Sequence, residues 1–435
     1  MRLSIDDKSK SIFWFIVYKI ILDVTYVLIQ KDLFAFYGFG FDPNMLRWFL
    51  SWTLYLFVAF CVASNKTNFS TLFVYTVFML SLTPCFVYYE YNSDVKYWML
   101  LVQALALTFM QILMNGLAPK VIIKSRKIPY NSKKLKVAIV LVLVAYFVYV
   151  FKKYGLPSLS SLSWESISEI RANSSISTIM SIFQNILCRI VCPIILMILF
   201  KRRKWIGLGL VLMVQFYTFM ITGFKTYLFI PLVLIAVSIF SNINLKRLKT
   251  FALPCVSVLC SVLYVVFDMI YPYALINERV LFLPAKIKFA YFDYFSSHDF
   301  VYFSQSTIAK LFGFKSNYLE NIPNLIGEVY FGRPEMWTNT GFMADAYSNL
   351  GIFGIFLVAT LLALIITWVD MTVECDSADI LIGLQSMFLL YYVALNDGAA
   401  ISVLFSGGMM FAVILVLIVS FNKESPPKNS TLHCN

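Results

Sequence analysis

The chain has 435 residues, of which 60% are hydrophobic and only 13% are charged, and its mean hydropathy is +0.78. A soluble protein needs enough charged surface to face water on all sides, so this composition excludes a water-soluble domain and predicts a polytopic membrane protein. The net charge of +12 lies mostly in short basic connections that cannot fold into a nucleic-acid-binding domain, which excludes nucleic acid as a partner.

Apolar runs of about twenty residues, the length of a helix that crosses a bilayer, recur along the chain. The first run contains Lys19 and Asp23 and ends without a small-residue cleavage site, so it is predicted to be a retained span rather than a signal peptide. The predicted spans lie near residues 11–28, 45–64, 69–89, 97–117, 135–151, 179–200, 205–222, 226–240, 250–270, 351–369, 378–395 and 401–421. The expected fold is an all-α bundle of about twelve transmembrane helices, forming one domain over residues 1–435.

Lysine and arginine are concentrated in alternate connections, most clearly in residues 120–136, 201–204 and 246–249. Because basic loops resist translocation, that side and both termini are predicted to be cytoplasmic. Two larger periplasmic loops then cover about residues 152–178 and 271–350. Long connections between spans commonly carry function, so the second loop is the expected position of the site.

Charged residues inside spans are energetically costly, so each is expected to have a structural or functional role. Lys19 and Asp23 are four residues apart, as in an ion pair on one helical face. Arg189 lies in the middle of the sixth span, with Gln184 and Asn185 about one turn away. That polar stripe either lines a water-filled cavity or forms hydrogen bonds between helices.

Lys225 stands at the turn between the seventh and eighth predicted spans, just before Thr226 opens a helix. A helix N-terminus and an ammonium both attract anions, so this turn is a candidate phosphate clamp. The alternative is that Lys225 extends to the membrane interface, as lysines at span ends often do.

Cysteine usage predicts neither disulfides nor a metal centre. Six of the eight cysteines lie in predicted spans and none lies in an outer loop. Cys188 and Cys192 are one helical turn apart, but no other ligand joins them at a metal-binding spacing. We therefore expect no metal and no cofactor.

The outer loops combine aromatic, carboxylate and arginine side chains. Aromatic rings and carboxylates suit a sugar, whereas arginine and lysine suit a pyrophosphate. The aromatic run from Phe282 to Phe295 predicts an interfacial helix. The candidate substrate-binding residues are Lys225, Arg171, Arg333, Arg189, Trp164 and Tyr291, and the candidate catalytic residues are Arg279, His298, Asp293 and Asp345.

A proton acceptor on the outer side has several candidates. His298 is the one histidine in the predicted outer loops, and an imidazole accepts protons near neutral pH. The competing carboxyls, whose ordinary pKa burial would have to raise, are Asp293, Asp299, Glu278 and Asp345. The chain contains no nucleotide-binding glycine loop and no GxSxG or HExxH motif, so a soluble nucleotide-sugar donor is not expected.

Three stretches together resemble the bacterial O-antigen polymerase family, the polymerases of oligosaccharide repeat units. They are Thr222-Gly223-Phe224-Lys225-Thr226, Asn277-Glu278-Arg279 with the aromatic run to His298, and Asn339-Thr340-Gly341-Phe342 through Asp345 to Gly351. The expected arrangement of spans and two outer loops is similar to that of the family along nearly the whole chain.

The resemblance implies a metal-independent glycosyltransferase of the bacterial inner membrane. A growing glycan would leave one undecaprenyl pyrophosphate on the periplasmic face and join the sugar on another, and a chain-length regulator is an implied partner. Arg279, Lys225 and Arg171 would hold the pyrophosphate, and His298 or a nearby carboxylate would take the acceptor proton. The Arg-to-Gly motif of some members is missing, because Ile182 and Ala290 stand where the glycine would follow Arg171 and Arg279.

Two other functions stay open from the sequence. An O-antigen ligase would share the spans and outer site but transfer to a lipid A core. A flippase for lipid-linked oligosaccharides would use a cationic cavity, to which Lys19 and Arg189 could contribute. The long outer loop favours the polymerase over the flippase.

Overall fold

The computed structural model describes residues 7–117, 128–129, 133–155, 178–224, 227, 230–231, 245–306, 309, 312–373 and 378–420. Most of these residues are helical, as predicted. The helices are α1 (Asp7–Leu33), α2 (Met45–Val62), α3 (Phe69–Tyr91), α4 (Tyr97–Gly116), α5 (Lys133–Tyr154), α6 (Met180–Phe200), α7 (Trp205–Thr222), α8 (Leu245–Phe267), α9 (270–295), α10 (Ile322–Phe331), α11 (Phe342–Thr372), α12 (Ala378–Asp397), α13 (Ala400–Leu404) and α14 (Met409–Ile418). The short strands β1 (Ile128–Pro129) and β2 (Val419–Ser420) pair in parallel.

The chain groups into two compact units. Unit 1 comprises Met1–Lys120, Ile243–Asp370 and Leu389–Leu404, and unit 2 comprises Val121–Asn242, Met371–Phe388 and Phe405–Asn435. Unit 1 therefore holds α1 to α4, α8 to α10, α13 and nearly all of α11, whereas unit 2 holds α5 to α7, α14 and the strand pair. The first half of α12 belongs to unit 2 and its second half to unit 1.

Eight helices in the described part of the chain are long and apolar enough to cross a membrane. They are α1 to α4, α11 and, in unit 2, α5 to α7. The apolar parts of α8 and α14 are shorter, at Ala252–Phe267 and Met409–Ile418. The all-α fold is thus confirmed, and its long apolar helices are consistent with a multi-pass membrane protein. The count of twelve spans, the cytoplasmic termini and the single domain stay predictions.

α3 is the most buried of these helices. Within its 18-residue apolar stretch, 94% of the residues are buried. A helix that is apolar all round belongs in the interior of a bundle. α1, α2, α4 and α9 all pack against it. Phe78 near the middle of α3 contacts the rings of Phe15 on α1 and Tyr55 on α2, at 4.9 and 5.1 Å between centroids.

The N-terminus of α3 is capped by a carboxylate from far along the sequence. The backbone N–H groups of Phe69 and Ser70 donate to Asp370 at 2.7 and 3.1 Å, and the Ser70 hydroxyl also donates to it. An anion there satisfies amide groups that lack helical partners and favours the helix dipole. This contact ties the end of α11 to the start of α3.

We expect Asp370→Ala to destabilise the protein by about 1–2 kcal/mol, the usual cost of removing an N-terminal cap. The measurement is the thermal midpoint of the purified protein in detergent micelles. Asp32→Ala is the control, because Asp32 is exposed and pairs with its neighbour Lys31. Equal midpoints for the two variants would contradict the assigned capping role.

α9 shows that about the first third of the predicted outer loop 271–350 is helical. The helix runs through Ile270–Tyr273, the π-helical turn Ala274–Phe282 and Leu283–Phe295, with proline at the second position of the last part. The predicted helix over the aromatic run is therefore confirmed, while its place at a membrane interface stays a prediction.

The contacts of α9 change in order along the helix. Tyr273 donates its hydroxyl to Gln30 near the end of α1, and Phe289 stacks near Tyr88 at the end of α3. Phe292 then contacts Trp98 at the start of α4. All these positions are at the same end of the helices of unit 1, so α9 lies across that end.

Candidate active site

A cavity of about 330 Å³ opens among the segments that follow α9 in unit 1. Its volume lies at the lower end of the range of about 300–1,000 Å³ that small-molecule sites occupy. Its polar and aromatic lining residues include Tyr291, Gln305, Trp337, Asn339, Thr340, Asp345, Ser348, Asn349 and Asp397. The cavity thus offers two carboxylates, several amides and hydroxyls, and three aromatic rings, with Phe303 as the third.

Asp345 is positioned by the first turns of α11. The helix is interrupted at Leu350 and Gly351, where Gly351 has φ of +62°, a conformation that suits glycine. The short helical segment before this break is held by Asn349, whose amide donates to the Asp345 carbonyl at 2.7 Å and whose carbonyl accepts the Phe303 N–H at 2.7 Å. Within the described residues, the Asp345 carboxylate itself has no hydrogen-bond partner, so it is available to a ligand.

Gly341 fixes the approach of this segment to the end of α12. A Cβ atom on Gly341 would overlap the backbone carbonyl of Asn396 and would lie 3.2 Å from Cε of Lys288. Only glycine permits this approach, which places Asn339 and Thr340 beside Asp397 in the cavity wall. The glycine of the Asn339-to-Phe342 motif therefore has a steric role.

Lys288 is a buried cation next to the cavity wall. Its Nζ donates to the Ser81 hydroxyl at 2.7 Å and to the side-chain amide oxygen of Asn396 at 2.9 Å. Burial lowers the pKa of Lys288, and the negative charge of Asp397 opposes that shift. The ammonium fixes Asn396 and supplies positive charge close to Asp397.

Asp397 ends α12 and lies in a mixed electrostatic environment. Burial raises the pKa of its carboxyl to about 6, while the positive charges of Lys288 and Arg279 and a hydrogen bond from Asn396 act in the opposite direction. The carboxylate is therefore the main form at neutral pH, and it titrates closer to neutrality than an ordinary aspartate.

Glu278 and Arg279 lie on the π-helical part of α9. Glu278 is buried, burial raises its pKa to about 7, and the Arg279 charge opposes that shift. Arg279 is exposed and does not line the cavity, although its charge acts on Asp397. π-helical turns are uncommon and are frequent at functional sites.

A second cationic region surrounds Tyr37, just before α2. The Arg333 guanidinium carbon lies 5.3 Å from the Tyr37 ring centroid. Lys286 donates to the Tyr37 and Gly38 carbonyls and lies 5.5 Å from the Phe331 ring centroid. Burial lowers the pKa of Lys286 to about 8, opposed by the charge of Asp94. The structure thus places Arg333 in this region rather than in the cavity.

The structure does not bring His298 or Asp293 to the cavity. His298 is exposed in the turn after α9, with its ring stacked on Tyr294 at 3.9 Å and its Nδ1 2.8 Å from the Tyr294 carbonyl. Asp293 accepts a hydrogen bond of 2.7 Å from the Tyr330 hydroxyl, which links α9 to α10. Of the predicted site residues, Tyr291 and Asp345 are the ones that the cavity brings together.

Arg189 lies in unit 2, on the π-helical turn Leu187–Val191 of α6. It is partly buried, with its guanidinium carbon 6.0 Å from the Tyr227 ring centroid. Asn185 accepts a hydrogen bond from the Tyr227 hydroxyl at 2.8 Å and donates to the Ser406 carbonyl at 2.9 Å. Of the two alternatives for this polar stripe, a water-filled cavity or hydrogen bonds between helices, these contacts favour the hydrogen bonds. Three other predicted residues, Trp164, Arg171 and Lys225, lie outside the described residues.

Two residues of this site were missed by sequence reasoning. Asp397 comes just after a predicted span, and Lys288 stands inside an aromatic run. The sequence therefore gave no reason to place either residue in a site. The available signals were the Asn396-Asp397-Gly398 turn and a lysine within an otherwise apolar helical face. Among the described residues, no group of three His, Cys, Asp or Glu side chains could hold a metal ion.

Comparison with protein-family models, with curated proteins and with solved structures gives no match to this chain.

Proposed function

We propose that this protein polymerises undecaprenyl-pyrophosphate-linked oligosaccharide repeat units on the periplasmic face of a bacterial inner membrane. The observation that carries the proposal is the cavity of about 330 Å³, with Asp345 and Asp397 in its wall. In this proposal the sugars enter the cavity, the pyrophosphate remains outside it, and the lipid tail lies in the bilayer.

The cavity lining suits a sugar. Sugars have apolar faces that pack against aromatic rings, and hydroxyls that need polar partners in fixed positions. Tyr291 and Trp337 supply the rings, and Asn339 and Asn349 supply amides that both donate and accept. The Tyr291 hydroxyl already donates to the Thr338 carbonyl at 3.2 Å, which holds its ring in place.

Glycosyl transfer needs a base and a stabilised leaving group. The acceptor hydroxyl oxygen would bond to the anomeric carbon of the donor, while the bond from that carbon to pyrophosphate breaks and its electron pair leaves with the phosphate. Asp345, which has no partner among the described residues, would take the hydroxyl proton. Asp397, kept ionised at neutral pH, would stabilise positive charge that develops on the donor sugar.

The cations outside the cavity would stabilise the leaving pyrophosphate. Arg279 is exposed and electrostatically linked to Asp397, and Arg333 lies in the cationic region around Tyr37. Arginine offers paired donors that match phosphate oxygens. Arg171 and Lys225, outside the described residues, keep the same predicted role.

The test of the function is deletion of the gene in its host, followed by gel analysis of the surface polysaccharide. Loss of the ladder with one repeat unit still on the lipid core would support a polymerase. Loss of all repeat units with accumulation of periplasmic polymer would point to a ligase. Accumulation of single lipid-linked units inside the cell would point to a flippase.

We expect Arg279→Ala to abolish polymer while the protein remains folded and inserted in the membrane. Removing the guanidinium withdraws charge from the leaving group without emptying a packed position, because Arg279 is exposed. The readout is the polysaccharide ladder after complementation of the deletion strain. Arg202→Ala, an exposed arginine between α6 and α7, is the control. Full-length polymer from Arg279→Ala would contradict the assignment.

The rate of polymerisation is expected to rise as pH increases from about 5 to 7, because both carboxyls must be ionised: Asp397, whose pKa burial raises to about 6, and Asp345, which must accept a proton. The sign follows from the role of Asp397 as an anion, because protonation removes the charge that stabilises the donor sugar. Initial rates with lipid-linked repeat units in membrane vesicles give the profile. A rate independent of pH between about 5 and 7 would contradict the roles of both carboxylates.

A further inference from the structure

Three buried charged side chains meet between α1 and α3, and none of them lines the cavity. Nζ of Lys19 lies 3.3 Å from Oδ2 of Asp23 and forms a second ion pair with Oε1 of Glu90. The side chains of Lys19 and Glu90 have no exposed surface, and that of Asp23 is 13% exposed. The pair predicted from the spacing of Lys19 and Asp23 is therefore one half of a larger cluster.

The remaining surroundings of this cluster are aromatic. The Lys19 ammonium lies 4.0 Å from the ring centroid of Trp52 on α2, a cation–π contact. The titratable neighbours that interact electrostatically with the cluster are Tyr55 on α2 and Tyr91 on α3. Both are phenols, which carry no charge at neutral pH.

The formal charges of the cluster do not balance. Two carboxylates and one ammonium sum to one net negative charge, and Lys19 is the one cation that acts on either carboxyl in the described part of the chain. An unbalanced charge buried among membrane helices is strongly unfavourable. One additional positive charge would make the cluster neutral.

The geometry indicates where that charge would be. The carboxyls of Asp23 and Glu90 share the Lys19 ammonium and interact electrostatically with each other. Oδ1 of Asp23 and Oε2 of Glu90 are buried and have no hydrogen-bond partner in the part of the chain that the structure describes. Two neighbouring carboxylates repel each other, whereas a carboxylic acid donates a hydrogen bond to a carboxylate.

We propose that Asp23 and Glu90 share one proton at neutral pH, so that Lys19, Asp23 and Glu90 form a proton-binding site between α1 and α3. Release of the proton leaves a net negative charge at the contact of these helices, which makes their packing dependent on pH. This inference is independent of the proposed polymerase activity and of the cavity.

Infrared spectroscopy of the purified full-length protein in lipid nanodiscs tests the proposal, because a carboxylic acid and a carboxylate have different C=O stretching bands. At pH 7 we expect the spectrum of the wild type minus that of Glu90→Gln to contain one acid band, and the same for Asp23→Asn. Asp32→Asn, on the same helix but 71% exposed, should give no such band.

A second variant keeps the proposal testable if the first two fail to fold. Lys19→Met removes the one ammonium, so the second carboxyl should also become protonated and the acid band should gain intensity relative to the wild type. Size-exclusion chromatography in detergent checks that each variant is folded. Absence of an acid band in the difference spectra of folded Glu90→Gln and Asp23→Asn would overturn the proposal, as would an unchanged band in folded Lys19→Met.

Discussion

Replacement of Asp345 by asparagine is expected to lower polymer formation by at least about 100-fold, the smaller end of the effect of removing a general base. Asparagine has nearly the same shape as aspartate but cannot accept the proton of an acceptor hydroxyl. Because the Asp345 carboxylate has no hydrogen-bond partner among the described residues, the substitution breaks no internal contact there. The protein should therefore fold and insert normally.

The measurement is polymer length and amount after complementation of the deletion strain, together with the amount of inserted protein. Glu335→Gln is the control, because Glu335 is exposed in the same predicted outer loop and does not line the cavity. Asp397→Asn should give a loss of similar size, and the double variant should lose less than the product of the single losses because both residues act in one step. Normal polymer from Asp345→Asn would exclude Asp345 as the base.

The site residues that the sequence predicted are those that a local sequence pattern identifies. Asp345 belongs to a polar segment directly before an apolar run, and Tyr291 belongs to an aromatic run of helical length. Both features are visible within about ten residues of the chain. The structure places both residues in the cavity wall.

The parts that sequence missed depend on contacts between distant elements. Asp397 becomes a site residue only because Gly341 lets the start of α11 approach the end of α12. Likewise, Glu90 stands in the aromatic run at the end of α3, and nothing near it in sequence identifies Lys19 as its partner. A spacing rule finds partners within one helix, such as Lys19 and Asp23, and finds no partner on another helix.

His298 was predicted as a candidate base, but it lies outside the cavity. Its chemistry made it the natural candidate for a base, but the chain ends α9 at Phe295 and exposes His298 in the following turn. Stacking on Tyr294 uses one face of its ring. Residue type alone cannot indicate that a side chain of suitable chemistry lies outside the cavity.

The fold itself was predicted where apolar runs were long and uninterrupted. α3 and α4 begin at residues 69 and 97, as the sequence indicated. α9 lies in the predicted outer loop, where the sequence indicated a helix over the aromatic run only, and two lysines stand within that run. Lys286 and Lys288 both donate to protein oxygens, so their charges are satisfied inside a helix.

Gly341→Ala is expected to reduce both stability and polymer formation strongly. The added methyl group would overlap the Asn396 carbonyl, which is backbone and cannot move without displacing the end of α12. Overpacking of this kind commonly costs about 1–3 kcal/mol, and here the displacement would also separate Asn396 from Lys288. Asp397, the next residue, would then leave its place in the cavity wall.

The thermal midpoint of the purified protein in detergent micelles and the polysaccharide ladder measure the two effects. Gly116→Ala is the matched control, because a Cβ atom at Gly116 meets nothing within 4 Å. If Gly341→Ala changed the midpoint no more than Gly116→Ala, the close approach of α11 to α12 would not hold, and Asp345 and Asp397 would no longer be expected to act in one cavity. A lowered midpoint together with loss of the ladder would instead link the glycine of this motif to the geometry of both carboxylates.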